Sequence, residues 1–184
     1  TGGQCLLAPP PLTDGKMPCV LYNLGGPLAN LITALLCVLG MRFCREHWPL
    51  WVLLQLFAIV GIGMGLTNGI PLRGSVHNDG ANALSLGKDP AALRSLWVQL
   101  SVNAQQAESV RLKEMPETWF ALPTDAEMQN SMTAVLAVLR ENRLMDAHRF
   151  DEAAALIDRL NTGAYAVMPL YNNMLLCVDH TYYL

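Results

Sequence analysis

The sequence predicts a mainly α-helical chain built as a polytopic membrane hairpin, with a short β-hairpin-like loop before it and an α-helical tail after it. Three observations carry this. Two apolar runs, YNLGGPLANLITALLCVLGM from Tyr22 and WPLWVLLQLFAIVGIGMGL from Trp48, each match the roughly 20 residues that a helix needs to cross a hydrocarbon layer of about 30 Å. Only the polar turn RFCREH separates them. From Asp89 onward, apolar residues recur at three- and four-residue steps among charged ones, the pattern of amphipathic soluble helices. The expected divisions are a loop at 1–24, a membrane core at 25–85 and a soluble tail at 86–184.

Charge follows the same division. The chain has 184 residues and a formal charge of −3, from 12 basic and 15 acidic side chains. Lys16, Arg42, Arg45, Asp14 and Glu46 are the only charged residues up to Leu66, which leaves the rest of the charge to the last two thirds. No basic stripe occurs and the pI is about 5.7, so a nucleic-acid partner is not expected. Cys5, Cys19, Cys37, Cys44 and Cys177 are odd in number and lack Cys-x-x-Cys spacing, which argues against a disulfide framework or a thiolate zinc site. The chain starts at Thr1 and stops within an apolar-periodic stretch, so the expectation is an internal piece of a longer protein.

The loop at 1–24 holds two apolar runs, QCLLA and CVLY, around three prolines and an Asp14-Gly15 turn signal. The prolines would confine any strand there to an edge. The first membrane helix is expected to open at Gly25-Gly26-Pro27, with proline in the first helical position, and to run to about Cys44. That places Asn30 in its first turn, where an amide either satisfies backbone groups or contacts another chain. Arg42, Arg45, Glu46 and His47 belong at the membrane surface, and Trp48 and Trp51 suit the interfacial aromatic belt.

The second helix runs to about Leu66, and Gly61 and Gly65 share one of its faces. Such a face lets another helix approach closely, so a partner helix missing from this chain is expected. A polar stretch follows, with Asn68, Pro71, His77, Asn78, Asp79 and Gly80. By itself Asp79-Gly80 reads as a turn, although a carboxylate beside a membrane helix also points to function. His77 alone is weak as a metal ligand.

In the tail, Asp89-Pro90 reads as an N-cap followed by proline at the first helical position. Leu93, Trp97, Leu100, Ala104, Ala107 and Val110 form the expected buried stripe, ended by Pro116. Thr124 and Glu127 have capping-box spacing ahead of a helix through MTAVLAVLRENRLMDA. The turn HRFD leads to EAAALIDRL, closed by Asn161 and Gly163, and a third helix begins near Met168; this helix, turn, helix arrangement resembles a tetratricopeptide-type unit.

Gly25 to Asn30 (GGPLAN) at the mouth of one membrane helix, then Thr67-Asn68-Gly69-Ile70-Pro71 and Asn78-Asp79-Gly80 after the next, resemble the site-2 protease family of intramembrane zinc metallopeptidases. The likeness spans roughly residues 1–85. It implies that Asp79 is a zinc ligand and that Asn30, with Gly26 and Pro27, holds an extended substrate backbone. It also implies that Asn68, Pro71 and Gly80 shape the loop, and that residues 4–22 stand where that family has a strand-presenting hairpin. The family's His-Glu-x-x-His, which supplies two further ligands and a general base, is not in this sequence, so no catalytic residue is assigned and the chain alone should be inactive.

The activity implied is zinc-dependent cleavage of a membrane-protein or peptide substrate within the bilayer. Arg73, Lys88, Arg94, Arg111 and Lys113 after the second helix, against Arg42 and Arg45 in the turn, put the tail on the cytoplasmic side of a multi-pass cell-membrane protein. The alternative is a membrane-anchored adaptor without catalysis, whose helical tail binds a partner protein.

Overall fold

The computed structural model describes residues 8–13, 15–72 and 77–160. The chain divides into two compact units, Pro18–Lys88 and a second made of Thr1–Met17 with Asp89–Leu184. Every regular element among the described residues is helical.

The first unit is an antiparallel pair, α1 (Cys19–Gly40) and α2 (Trp48–Gly69), followed by the short α3 (Asp79–Ser85). Each long helix has 22 residues, about 33 Å at 1.5 Å per residue, and both are long and apolar enough to cross a membrane. The distribution of side chains is inverted relative to a water-soluble hairpin. Pro27, Ala34, Ala58, Gly61 and Gly65 are buried between the helices. Leu28, Ile32, Leu36, Leu53, Phe57 and Ile62 face outward with 43% to 61% of their surface exposed. Water would reward hiding the large side chains, whereas helices in lipid associate through small ones that allow close backbone approach.

Two expectations are corrected here. First, α1 begins at Cys19, so CVLY is its first turn and Pro27 lies inside it. Proline is tolerated within membrane helices where neighbours and side chains meet the freed groups. Pro27 leaves the Asn23 carbonyl without its helical donor, while the buried Asn23 side chain donates from Nδ2 to the Cys19 carbonyl at 2.7 Å one turn earlier. Second, the glycine face of α2 has its partner within the chain. A Cβ built at Gly61 would lie 2.9 Å from the Asn30 carbonyl oxygen and 3.1 Å from Ala34 Cβ. One at Gly65 would lie 3.2 Å from the Pro27 carbonyl oxygen, and one at Gly69 would lie 3.3 Å from Pro27 Cβ. Gly61, Gly65 and Gly69 thus form the seam that receives α1.

The expected β-hairpin at the N-terminus is also corrected. What exists is a tight turn at Gly15, with φ of 71°, closed by a single antiparallel bridge between Thr13 and Lys16. The arm CVLY is helical, so it cannot pair as a strand; QCLLA lies almost wholly outside the described residues.

In the second unit, α4 (Pro90–Ala107), α5 (Ser131–Asp146) and α6 (Phe150–Arg159) pack in sequence. Asp89 caps α4 as expected, its Oδ1 accepting from Ala91 and Ala92 at 3.1 and 3.0 Å. Its other oxygen accepts from Asn130 Nδ2 at 3.1 Å, and Asn130 in turn caps α5, so the two helix starts are joined. The Thr124–Glu127 pair forms its reciprocal bonds, yet the turn it organises is a single 3-10 turn at Glu127–Gln129, and α5 starts afterwards.

The buried face of α4 also differs from the expected stripe. Ala107 is exposed, and Leu93 and Leu100 share the interior with Leu96, Val98 and Val102. A tetratricopeptide-like tail is not supported: α5 and α6 form one helical pair without a second copy among the described residues, and the expected closing residues and third helix lie outside them.

Candidate functional site

The candidate site lies where α2 ends and α3 begins. The helix α2 continues through Thr67 and Asn68 to Gly69, and the Thr67 hydroxyl donates to the Gly63 carbonyl at 2.8 Å. Ile70 then turns extended, which leaves the last carbonyls of α2 without intrahelical donors.

Asn78 meets that need from the far side of the loop. Its Nδ2 donates to the carbonyls of Thr67 at 2.8 Å and Ile70 at 2.6 Å. Its Oδ1 accepts from the backbone N–H of Leu72 at 3.0 Å and of Ala81 at 3.1 Å, the latter being the N-cap bond of α3. One side chain therefore closes the end of one helix and starts the next. Asparagine suits this position because its amide carries two donors and an acceptor, where aspartate has acceptors alone.

Asp79 follows as the first residue of α3 and is half-buried. Burial pushes its carboxyl above the usual carboxylate range. Gly80 is buried against the end of α2: a Cβ there would lie 2.2 Å from the Gly69 carbonyl oxygen and 2.7 Å from its carbon. Only glycine permits that backbone contact.

The expected site residues are partly brought together. Pro27 packs on Gly69, and Gly69 on Gly80, so the Gly-Pro segment of α1 and the Asp-Gly segment of α3 meet at one end of the hairpin. Asn30 lies one turn deeper than Pro27, in the interior of α1 rather than its first turn, and is partly exposed. Gly26 is exposed, with open space where a Cβ would stand. Asn68 belongs to the last turn of α2, Pro71 is exposed just beyond it, and neither is tied into the loop in the way Asn78 is.

Asn78 and Gly69, which stand in the motifs quoted from the sequence but carry no role there, are the organising residues. The available signal for Asn78 was its N-cap identity immediately before an acidic first turn.

Among the described residues, no three His, Cys, Asp or Glu side chains gather closely enough to hold a metal ion. Asp79 can supply one oxygen ligand, and the preceding His77 is partly buried, but these residues do not close a zinc site by themselves. No protein-family model, curated protein or solved structure matches the chain.

Proposed function

We propose that this chain carries part of a membrane-embedded zinc endopeptidase of the site-2 protease type, acting on a membrane-protein or peptide substrate. The observation that carries the proposal is the contact sequence Pro27, Gly69, Gly80, by which two segments some fifty residues apart in the chain converge beside Asp79. In this reading Asp79 is the carboxylate ligand. Asn78 and Gly80 hold it at the end of α2, and Asn30 offers its amide to the backbone of an unwound substrate. An amide within the apolar span suits that task, because an extended segment in lipid has carbonyls and N–H groups without internal partners.

The two apolar helices span a cell membrane in this proposal, with the exposed Arg42, Arg45 and Glu46 in the turn at one face. In the same reading the helical unit is cytoplasmic, which the lysine and arginine bias after α2 supports. The remaining ligands and the general base would come from a His-Glu-x-x-His helix, which these 184 residues do not contain. The second reading is a membrane-anchored adaptor without catalysis, whose helical unit binds a partner protein.

Zinc content separates the two. The full-length gene product, purified from membranes in mild detergent, is expected to hold zinc stoichiometrically, and Asp79→Ala is expected to strip or weaken it. A metal-free protein, or zinc indifferent to Asp79, refutes the peptidase reading and leaves the adaptor.

A further inference from the structure

In the proline run near the N-terminus, the exposed Pro10 accepts a hydrogen bond from the helical unit. We propose that Trp97 and Trp119 form a binding site for an extended proline-rich segment, which this chain fills with its own Pro9-Pro10-Pro11. The proposal is independent of the zinc reading.

Trp97 Nε1 donates to the Pro10 carbonyl at 2.9 Å. The Trp97 and Trp119 rings meet edge to face, with centroids 5.4 Å apart and an interplanar angle of 85°. Both indoles are only partly buried, and both pack on the core formed by Val98, Val102, Met115, Phe120 and Leu136, which fixes their orientation. Beyond the prolines the segment closes through the Thr13–Lys16 bridge and ends at the buried Met17.

The chemistry of the ligand matches that of the site. Successive prolines have no N–H to offer, and each residue preceding a proline is held extended, so Pro9 to Pro11 favour the polyproline II conformation. Such a segment presents apolar rings and backbone carbonyls, and it loses little entropy on docking. Proteins that bind it supply aromatic faces and hydrogen-bond donors. A rigid indole pair with one N–H aimed at the central proline's carbonyl has both properties. Trp97 stays partly exposed on α4, while the adjacent Val98 is fully buried.

The test uses the whole chain in detergent and a synthetic peptide of residues 6–13, LLAPPPLT. Replacing Pro9, Pro10 and Pro11 together by glycine should empty the site, and that variant should bind the peptide. The unaltered chain should bind at least about tenfold more weakly, because its own segment competes at a millimolar effective concentration. Adding Trp97→Phe to the glycine variant removes the donor and should weaken peptide binding about tenfold. Equal binding by the glycine variant and the unaltered chain, no binding by the glycine variant, or indifference to Trp97→Phe overturns the proposal.

Should the glycine variant fail to fold, hydrogen exchange at the indole N–H groups of the unaltered chain decides. Trp97 should exchange about tenfold or more slowly than the indole N–H of an unstructured tryptophan peptide, and excess LLAPPPLT peptide should leave that protection in place. An unprotected Trp97 indole overturns the assignment.

Discussion

The Asn78 amide nitrogen lies 2.8 Å from the Thr67 carbonyl oxygen, across eleven residues of sequence. That bond joins the end of one membrane-length helix to the start of the helix bearing the candidate ligand, so the geometry around Asp79 depends on a neutral neighbour. Asn78→Asp keeps the acceptor for the Ala81 N–H but removes both donors, and it sets a carboxylate against the Thr67 and Ile70 carbonyls. We expect a loss of about 0.5–1.5 kcal/mol, the net worth of hydrogen bonds made at exposed carbonyls. Thermal unfolding in detergent measures it, and a melting curve identical to the parent's would show that the clamp contributes nothing.

Gly80→Ala tests the contact with Gly69. The added methyl meets backbone 2.2 Å away, which cannot move aside as a side chain can, so α3 must shift. The expected destabilisation is about 1–3 kcal/mol. Gly26→Ala is the matched control: its Cβ meets nothing within 4 Å, and α1 should gain about 0.5–1 kcal/mol from the better helix former. Similar melting temperatures for the two variants would refute the contact.

The seam between α1 and α2 should respond by face. Gly65→Leu puts a large side chain where the Pro27 carbonyl oxygen and the Leu31 side chain leave no room even for a Cβ, and it should separate the helices. Leu36→Ala, on the outward face, should leave helix pairing intact. Cysteine cross-linking between α1 and α2 reads the difference; efficient cross-linking in Gly65→Leu would mean that the glycine seam is not what joins them.

Asp146 links the start of the 3-10 turn after α4 to the end of α5. It accepts from Arg111 Nε at 2.9 Å and from the Lys113 N–H at 3.0 Å. The Arg111 hydrogen bond holds its carboxyl below the usual carboxylate range. A lowered folded pKa means that the stabilisation is complete above the unfolded value of about 3.9 and is lost as pH falls through the folded one. Asp146→Asn should therefore cost about 1–2 kcal/mol at neutral pH, with the gap to the parent closing in acid. Parallel stability profiles down to pH 2 would contradict this.

Ser109 carries a φ of 65° in the turn that leaves α4. Glycine adopts that conformation without a Cβ penalty, so Ser109→Gly should raise stability by about 0.5–1 kcal/mol. Chemical denaturation checks the sign, and a destabilised variant would show that the hydroxyl is needed there.

Several features were legible from local chemistry. The two membrane-length helices follow from uninterrupted apolar runs, the Asp89 cap from a short acceptor followed by Pro90, and the Thr124–Glu127 bonds from their spacing. Others were not, because they depend on what arrives from elsewhere. Pro27 resembles a helix start by its residue type alone, yet Cys19 to Leu24 extend α1 ahead of it. Thr124 and Glu127 form their bonds, but the chain breaks at Asn130, whose side chain finds both Met132 and Asp89.

By itself, then, the sequence determined that the chain has two apolar helices and which residues can cap a helix. The reason is that hydrophobic length, proline stereochemistry and side-chain acceptors act within a few residues. Only the tertiary structure decided that α1 fills the glycine seam of α2, that Gly69 and Gly80 touch through their backbones, and that Asn78 rather than Asn68 holds the loop. Each of those depends on groups far apart in the chain whose approach is set by close packing, and a missing Cβ or a free amide does not reveal its partner until that partner is beside it.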